Sequence, residues 1–137
     1  MKYLIIVFLL LTLHHTAFSQ KKSDYENVMN RFVHFYNYDK PDSINNMFSD
    51  TWGKHKTSMY KQDDINGDKE SFGKIISCTY ITIDSISDPN KIRLFRTVCE
   101  KESFMTGLTL HQDLKIGTFR FKTSSPYIDS VFKSISK

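Results

Sequence analysis

Ser71-Phe-Gly-Lys74 carries the spacing of an acyl-transfer nucleophile, a serine with a lysine three residues on that could take its proton. The same Ser-x-x-Lys spacing recurs at Ser19, Ser58, Ser130 and Ser134, and neither Ser-Asp-Asn nor Lys-Thr-Gly accompanies it. Repetition of that kind in a chain rich in both residues is chance. Gln62-Asp-Asp-Ile-Asn-Gly67 begins like a calcium loop, with Asp64, Asn66 and Gly67 at the third, fifth and sixth places. The first place is Gln62 and the twelfth, which needs a bidentate glutamate, is Gly73, so an EF-hand is excluded. Asp63, Asp64 and Asp68 read as a solvated acidic loop, with weak calcium contact as the alternative. No cysteine–histidine cluster has zinc spacing, and no metal or cofactor site is read.

General acid–base chemistry would have to draw on His34, His55, His111 and Asp39, with Tyr36 and Tyr80 in support. His34 sits on the flank of a helical pattern, His111 at a strand end facing away from the apolar side, and Asp39 at a helix break. Each has a plain surface role, so no catalytic residue is assigned. The alternation Phe119-Arg-Phe-Lys122 offers rings and cations, as single-stranded nucleic-acid binders do. Period-two geometry places the rings on one face of a sheet and the charges on the other, which excludes their joint use on nucleic acid.

The chain opens with Lys2, an apolar run from Tyr3 to Leu11, and then Ala17-Phe18-Ser19. This reads as a secretory signal with a small-x-small cleavage site. The run is far short of the ~20 residues that span a bilayer. Residues 1–19 are therefore expected to be a signal peptide and 20–137 a single exported domain, periplasmic or secreted, with no membrane span. Removing Lys2 leaves 18 basic against 15 acidic residues, a net charge of +3, spread too evenly to call for a polyanionic partner.

The elements that must position any site follow from periodicity. Ser23-Asp-Tyr-Glu26 reads as a capping box, and Tyr25, Val28, Met29, Phe32, Phe35 and Tyr36 recur at helical spacing behind it. Asp39-Lys-Pro-Asp42 ends that helix, and Asp42 or Ser43 caps a short second one carrying Ile44, Met47 and Phe48. Residues 49–73 read poorly: they hold Trp52, an Asn66-Gly67 turn signal and a helical stretch near Ser58–Asp64. From residue 74 the period changes to two, giving strands over 74–84, 91–100, 103–111 and 115–123. Residues 126–136 read as a last turn or two of helix.

Centring the final hairpin on Asp113-Leu114 sets Leu110 against Gly117, Leu108 against Phe119, Thr109 against Thr118 and Gly107 against Arg120. One face is then apolar and the other polar. Centring the preceding turn on Lys101-Glu102 sets Phe95 against Leu108. Cys78 and Cys99 are equidistant from a turn at Asp88-Pro89, so in that register they stand opposite each other as a candidate disulfide. The alternative is two free buried thiols, or a register shifted by two.

An aromatic N-terminal helix, a short second helix and then a curved antiparallel sheet resemble the nuclear transport factor 2-like fold, an α+β cone. The stretches FVHFYNYDKPDSINNMFS, SFGKIISCTYI and LTLHQDLKIGTFRFK resemble, more closely, an uncharacterised exported bacterial family of that fold. Members of that family often stand beside serine beta-lactamase-like hydrolase domains. The resemblance covers roughly residues 24–123 and rests on the aromatic helix, Phe72-Gly73 before the first strand, and the last hairpin. It implies N-terminal helices packed on a four-stranded antiparallel sheet, with a cone cavity that is open in some relatives and filled in others and whose candidate lining here is Phe32, Tyr36, Trp52, Phe95, Leu108 and Phe119. Such large rings more often form plain core than a pocket. The expected function is a non-enzymatic binding module, holding a small apolar ligand in that cavity. The alternative is a protein-interaction module, a homodimer or an inhibitor or immunity-type partner, with an apolar outer patch of Leu94, Val98 and Ile81. A third reading is an isomerase- or dehydratase-like enzyme.

Overall fold

The computed structural model describes residues 20–51, 60–81, 92–124 and 126–135. The signal segment, His55 and Trp52 lie outside them. The first helix, α1, spans Lys22–Asn37. It starts one residue before the expected capping serine, because the Asp24 carboxylate accepts the Lys21 N–H at 2.8 Å. Its end is a Schellman motif in which Asp39 takes the left-handed position, φ 56°. Asp39 N–H donates to Tyr36 O at 3.3 Å and Lys40 N–H to Phe35 O at 2.9 Å, which turns the chain into α2, Pro41–Asn45.

Residues Gln62–Phe72 form α3, an 11-residue helix that runs straight through Asn66-Gly67. The turn reading fails there because the local chemistry is that of a helix start. Asp64 accepts the Lys61 N–H at 2.8 Å, repeating the device at α1, and Asp63 and Asp64 complement the helix dipole. Gly73 closes α3 at φ 80°, and a β-carbon there would stand 2.5 Å from Glu100 Oε2. Both the backbone angle and the close approach require glycine.

The strands are β1 (Ile75–Ile81), β2 (Arg93–Cys99), β3 (Ser103–Leu110) and β4 (Ile116–Thr123), hydrogen-bonded antiparallel in chain order. Helix α4, Pro126–Ile135, follows as a full ten-residue helix. Among the described residues no helix is long and apolar enough to cross a membrane.

The last hairpin pairs Leu108 with Phe119, Thr109 with Thr118 and Gly107 with Arg120, but Leu110 with Ile116. A bulge at Gly117 takes up the difference, and the turn itself carries Leu114 at φ 61°. Between β2 and β3 the turn sits one residue earlier than expected, since Cys99 N–H donates to Glu102 O at 2.9 Å. Phe95 therefore faces Thr106, and Arg93 faces Leu108. That is a shift of two, which leaves every side chain on its expected face. A bulge between Ile75 and Ser77 sets Cys78 opposite Thr97 and Cys99 opposite Ile75. The cysteines are diagonal rather than directly opposed, and both thiols are free.

Candidate functional site

Of the residues named as cavity lining, Phe32, Tyr36, Phe95, Leu108 and Phe119 lie among the described residues and belong to or pack against the core. Phe32, Tyr36, Phe95 and Leu108 are each no more than 1% exposed. Helix α1 sends Phe32 directly onto β4, with ring centroids 4.5 Å from Phe119 and 5.9 Å from Phe121. Tyr36 lies 5.4 Å from Phe121, and Tyr60 meets Phe32 edge-on at 6.0 Å. Rings at these separations are in contact, so the space between these side chains is filled by the rings themselves. Each fully buried ring contributes about 1.5–3 kcal/mol by leaving water.

A chain of hydroxyls crosses this apolar face from β1 to β4. Thr106 Oγ1 donates to Phe121 O at 2.6 Å, so it must accept from Thr97 Oγ1 at 2.8 Å. Thr97 in turn accepts from the Cys78 thiol at 3.4 Å. Thr97 and Thr106 are fully buried, and the relay gives each hydroxyl one donated and one accepted bond. Burial pushes both Cys78 and Cys99 up to about 11. Thiols so shifted are poor nucleophiles.

The acid–base candidates are scattered. His34 is exposed and stacks at 4.7 Å on Tyr38. Asp39 is exposed and paired with Lys69 at 2.7 Å; the hydrogen bond from that lysine is what holds its carboxyl below the usual range. Tyr36 donates its hydroxyl to Gly73 O at 3.3 Å. Tyr80 packs edge-on against Phe95 at 5.4 Å. His111 lies on the opposite face of the sheet from the rings, over Gly117. Among the described residues, no three His, Cys, Asp or Glu side chains converge as a metal site.

Asp68 was read as part of a solvated loop, yet it is half-buried on the inward side of α3. Burial, reinforced by the Asp64 charge, raises its carboxyl above the ordinary range. It also helps to raise the phenols of Tyr36 and Tyr60, after the larger effect of burial. The available signal was spacing: Asp68 follows the fully buried Ile65 by three and precedes Phe72 by four, on one helical face.

An open site lies at the other end of the sheet, where α1 and β2 begin and β3 ends. It is a cleft of about 400 Å³. Ile92, Leu110 and the Tyr25 ring supply its apolar part, and Gln20, Thr109, Thr118 and Arg120 its polar part. Gln20 ties the helix start to the strand end: its Nε2 donates to His111 O at 2.5 Å, and its Oε1 accepts from the Tyr25 hydroxyl at 3.1 Å. Burial raises the Tyr25 phenol, against the opposing pull of Arg93, whose guanidinium lies 5.9 Å from the ring centroid. Among the described residues no acidic side chain lines the cleft. Thr109, Thr118 and Arg120 spend no side-chain hydrogen bond on any described residue. Sequence reasoning paired Thr109 with Thr118 and turned Arg120 outward, but on that face it singled out the apolar patch of Leu94, Val98 and Ile81 rather than these polar groups.

The remaining sheet surface is more covered than the sequence suggests. Helix α4 packs on β3 from the side opposite α1, and Leu94, Met105 and Thr123 there are buried. The expected apolar patch is therefore not exposed: Leu94 is 3% accessible, and Val98 and Ile81 are half-buried. Its cover was missed because residues 126–136 were read as a turn or two rather than a full amphipathic helix. The start of β4 is flanked by Met47–Ser49, which bond Ile116 on both its N–H and its carbonyl at 2.8 and 2.9 Å. Comparison of the chain with family models, with curated proteins and with solved structures finds no match.

Proposed function

We propose that this chain is a non-enzymatic binding module that works after export and takes a small ligand in the cleft between Tyr25 and Arg120, rather than among its aromatic rings. The observation that carries this reading is a contrast in hydrogen bonding. The interior polar groups Thr97 and Thr106 are fully paired, whereas the cleft presents two threonine hydroxyls and a guanidinium with no partner among the described residues. Binding sites combine a modest apolar surface with a few such polar groups fixed by rigid strands. The arrangement of aromatic helix and meandering sheet is in keeping with a nuclear transport factor 2-like module, with the ligand site moved from the interior to the sheet end.

The test is a saturation-transfer NMR screen of small fragments, repeated on Thr118→Tyr, which fills the cleft from an exposed strand. Hits should disappear in the variant while its melting temperature holds. Hits retained at full strength with the cleft filled would overturn the reading.

A second reading, a protein-interaction module, draws on the β1 edge. Asn37 closes only its first residue, bonding Ile75 O at 2.9 Å and Ile75 N–H at 3.0 Å. Beyond that point Ile76 is 65% exposed on a strand without charge. Uncharged edges of this kind pair readily with other strands. A dimer in sedimentation that Ile76→Lys dissociates would favour this reading.

A further inference from the structure

We infer that the ligand of the Tyr25–Arg120 cleft is a small anion that presents a carboxylate or phosphate group to the outer end of the β3–β4 hairpin. This rests on the proposed binding role and specifies its chemistry. Arg120 on β4 stands opposite Gly107, and Thr118 stands opposite Thr109, so guanidinium and hydroxyls project from one face of adjacent strands. Among the described residues, none of these three side chains has an internal hydrogen-bond partner and no carboxylate lines the cleft.

Gly117 adjoins them. A β-carbon there would stand 2.8 Å from His111 Nε2 and 3.1 Å from Thr109 Oγ1, so the imidazole and the hydroxyl pack down on a backbone with no room for a side chain. Arg120, Thr118 and Thr109 line one cleft, and a guanidinium with two hydroxyls suits an acceptor-only group with several oxygens. Arg93, next to Tyr25, adds positive potential from the inner side. Cleavage after Ser19 would add the α-amino group of Gln20, itself a lining residue.

The surrounding charges separate this site from general surface basicity. Lys122, two residues along β4, already binds Glu102 at 2.7 Å. Lys115 spends its ammonium on Asn46 O at 2.5 Å. Among the described residues, Arg120 is the cation on this hairpin that has no internal partner. The apolar surfaces of Ile92 and Leu110 would take the body of the ligand, so an aryl or short-chain acid fits better than a bare ion.

The experiment titrates the purified protein with benzoate, phenyl phosphate and the neutral isostere benzamide at matched ionic strength, following backbone amides by NMR. Saturable shifts at Thr109, Gly117, Thr118 and Arg120 are expected with one or both anions, and the tighter of the two identifies the group. Arg120→Gln should weaken that binding roughly tenfold or more, as loss of a charge-assisted contact does. Lys122→Gln, on the same strand but already paired, should leave binding unchanged. Benzamide binding as tightly as benzoate would overturn the anion inference and leave the binding role standing. Equal losses in both variants would reduce the effect to diffuse charge and overturn it as well. If none of the three probes moves a cleft amide, the anion inference fails. If, in addition, the fragment screen yields no hit that depends on the cleft, the binding role fails with it.

Discussion

The two ends of this sheet use the same residue types in opposite ways. On the α1 side, threonines are buried and satisfied: Thr97 and Thr106 pass one hydrogen bond after another across four strands, under rings that leave no space between them. At the Tyr25 end, Thr109 and Thr118 form a cross-strand pair whose hydroxyls meet no partner among the described residues. A hydroxyl that has lost water and found a partner fixes the fold. One that keeps its donor and acceptor free at a rigid position is available to a ligand.

The sharpest way to break the interior is Phe32→Ala. The ring is fully buried and touches Tyr36, Tyr60, Phe119 and Phe121, so a loss of about 3–5 kcal/mol is expected in chemical denaturation. A cost under about 1 kcal/mol would mean that the rings are loosely packed and that the interior has room for a guest. Thr106→Val is next. It strands the Thr97 hydroxyl and the Phe121 carbonyl inside the sheet, for about 1–3 kcal/mol.

Asp68 gives a smaller effect with a defined sign. Its folded carboxyl titrates above the unfolded one, chiefly through burial, so the native state holds the proton more tightly. Stability therefore falls as pH rises from the ordinary carboxylate range up to the raised value, and stays at the lower level above it. Asp68→Asn should remove that slope and stabilise the protein at neutral pH, measured by denaturation at several pH values. The cysteines should react with a thiol reagent near pH 8 much more slowly than a free thiol, because burial lifts both to about 11. At the bottom of the scale, Arg120→Gln should change stability by no more than about 0.5 kcal/mol, since the side chain is exposed and makes no internal bond.

What the sequence disclosed was whatever depended on parity and spacing. The faces of β2, β3 and β4 were legible because a period of two survives a register shift of two, and the α1 core was legible from its aromatic repeat. The register of the last hairpin was legible at Leu108–Phe119, Thr109–Thr118 and Gly107–Arg120, whereas the other registers depended on a turn one residue early and on bulges at Ile76 and Gly117 that no residue type announces. Helix α3 was missed because Asn66-Gly67 reads as a turn, while the opposing signal, Asp64 capping the Lys61 amide, is a backbone contact. The cleft was the least legible. Its lining comes from β3, β4, the residue ahead of β2, Tyr25 of α1 and Gln20 before that helix, which no single periodic stretch brings together.

The most direct test of the contrast between the two ends is a two-sided NMR titration with the strongest fragment found, following the cleft amides and the aromatic ring signals together. Movement confined to Thr109, Thr118 and Arg120, with the rings of Phe32, Phe95 and Phe121 unchanged, is the predicted result. Ligand contacts to those rings, with the cleft amides silent, would contradict it and return the binding site to the interior.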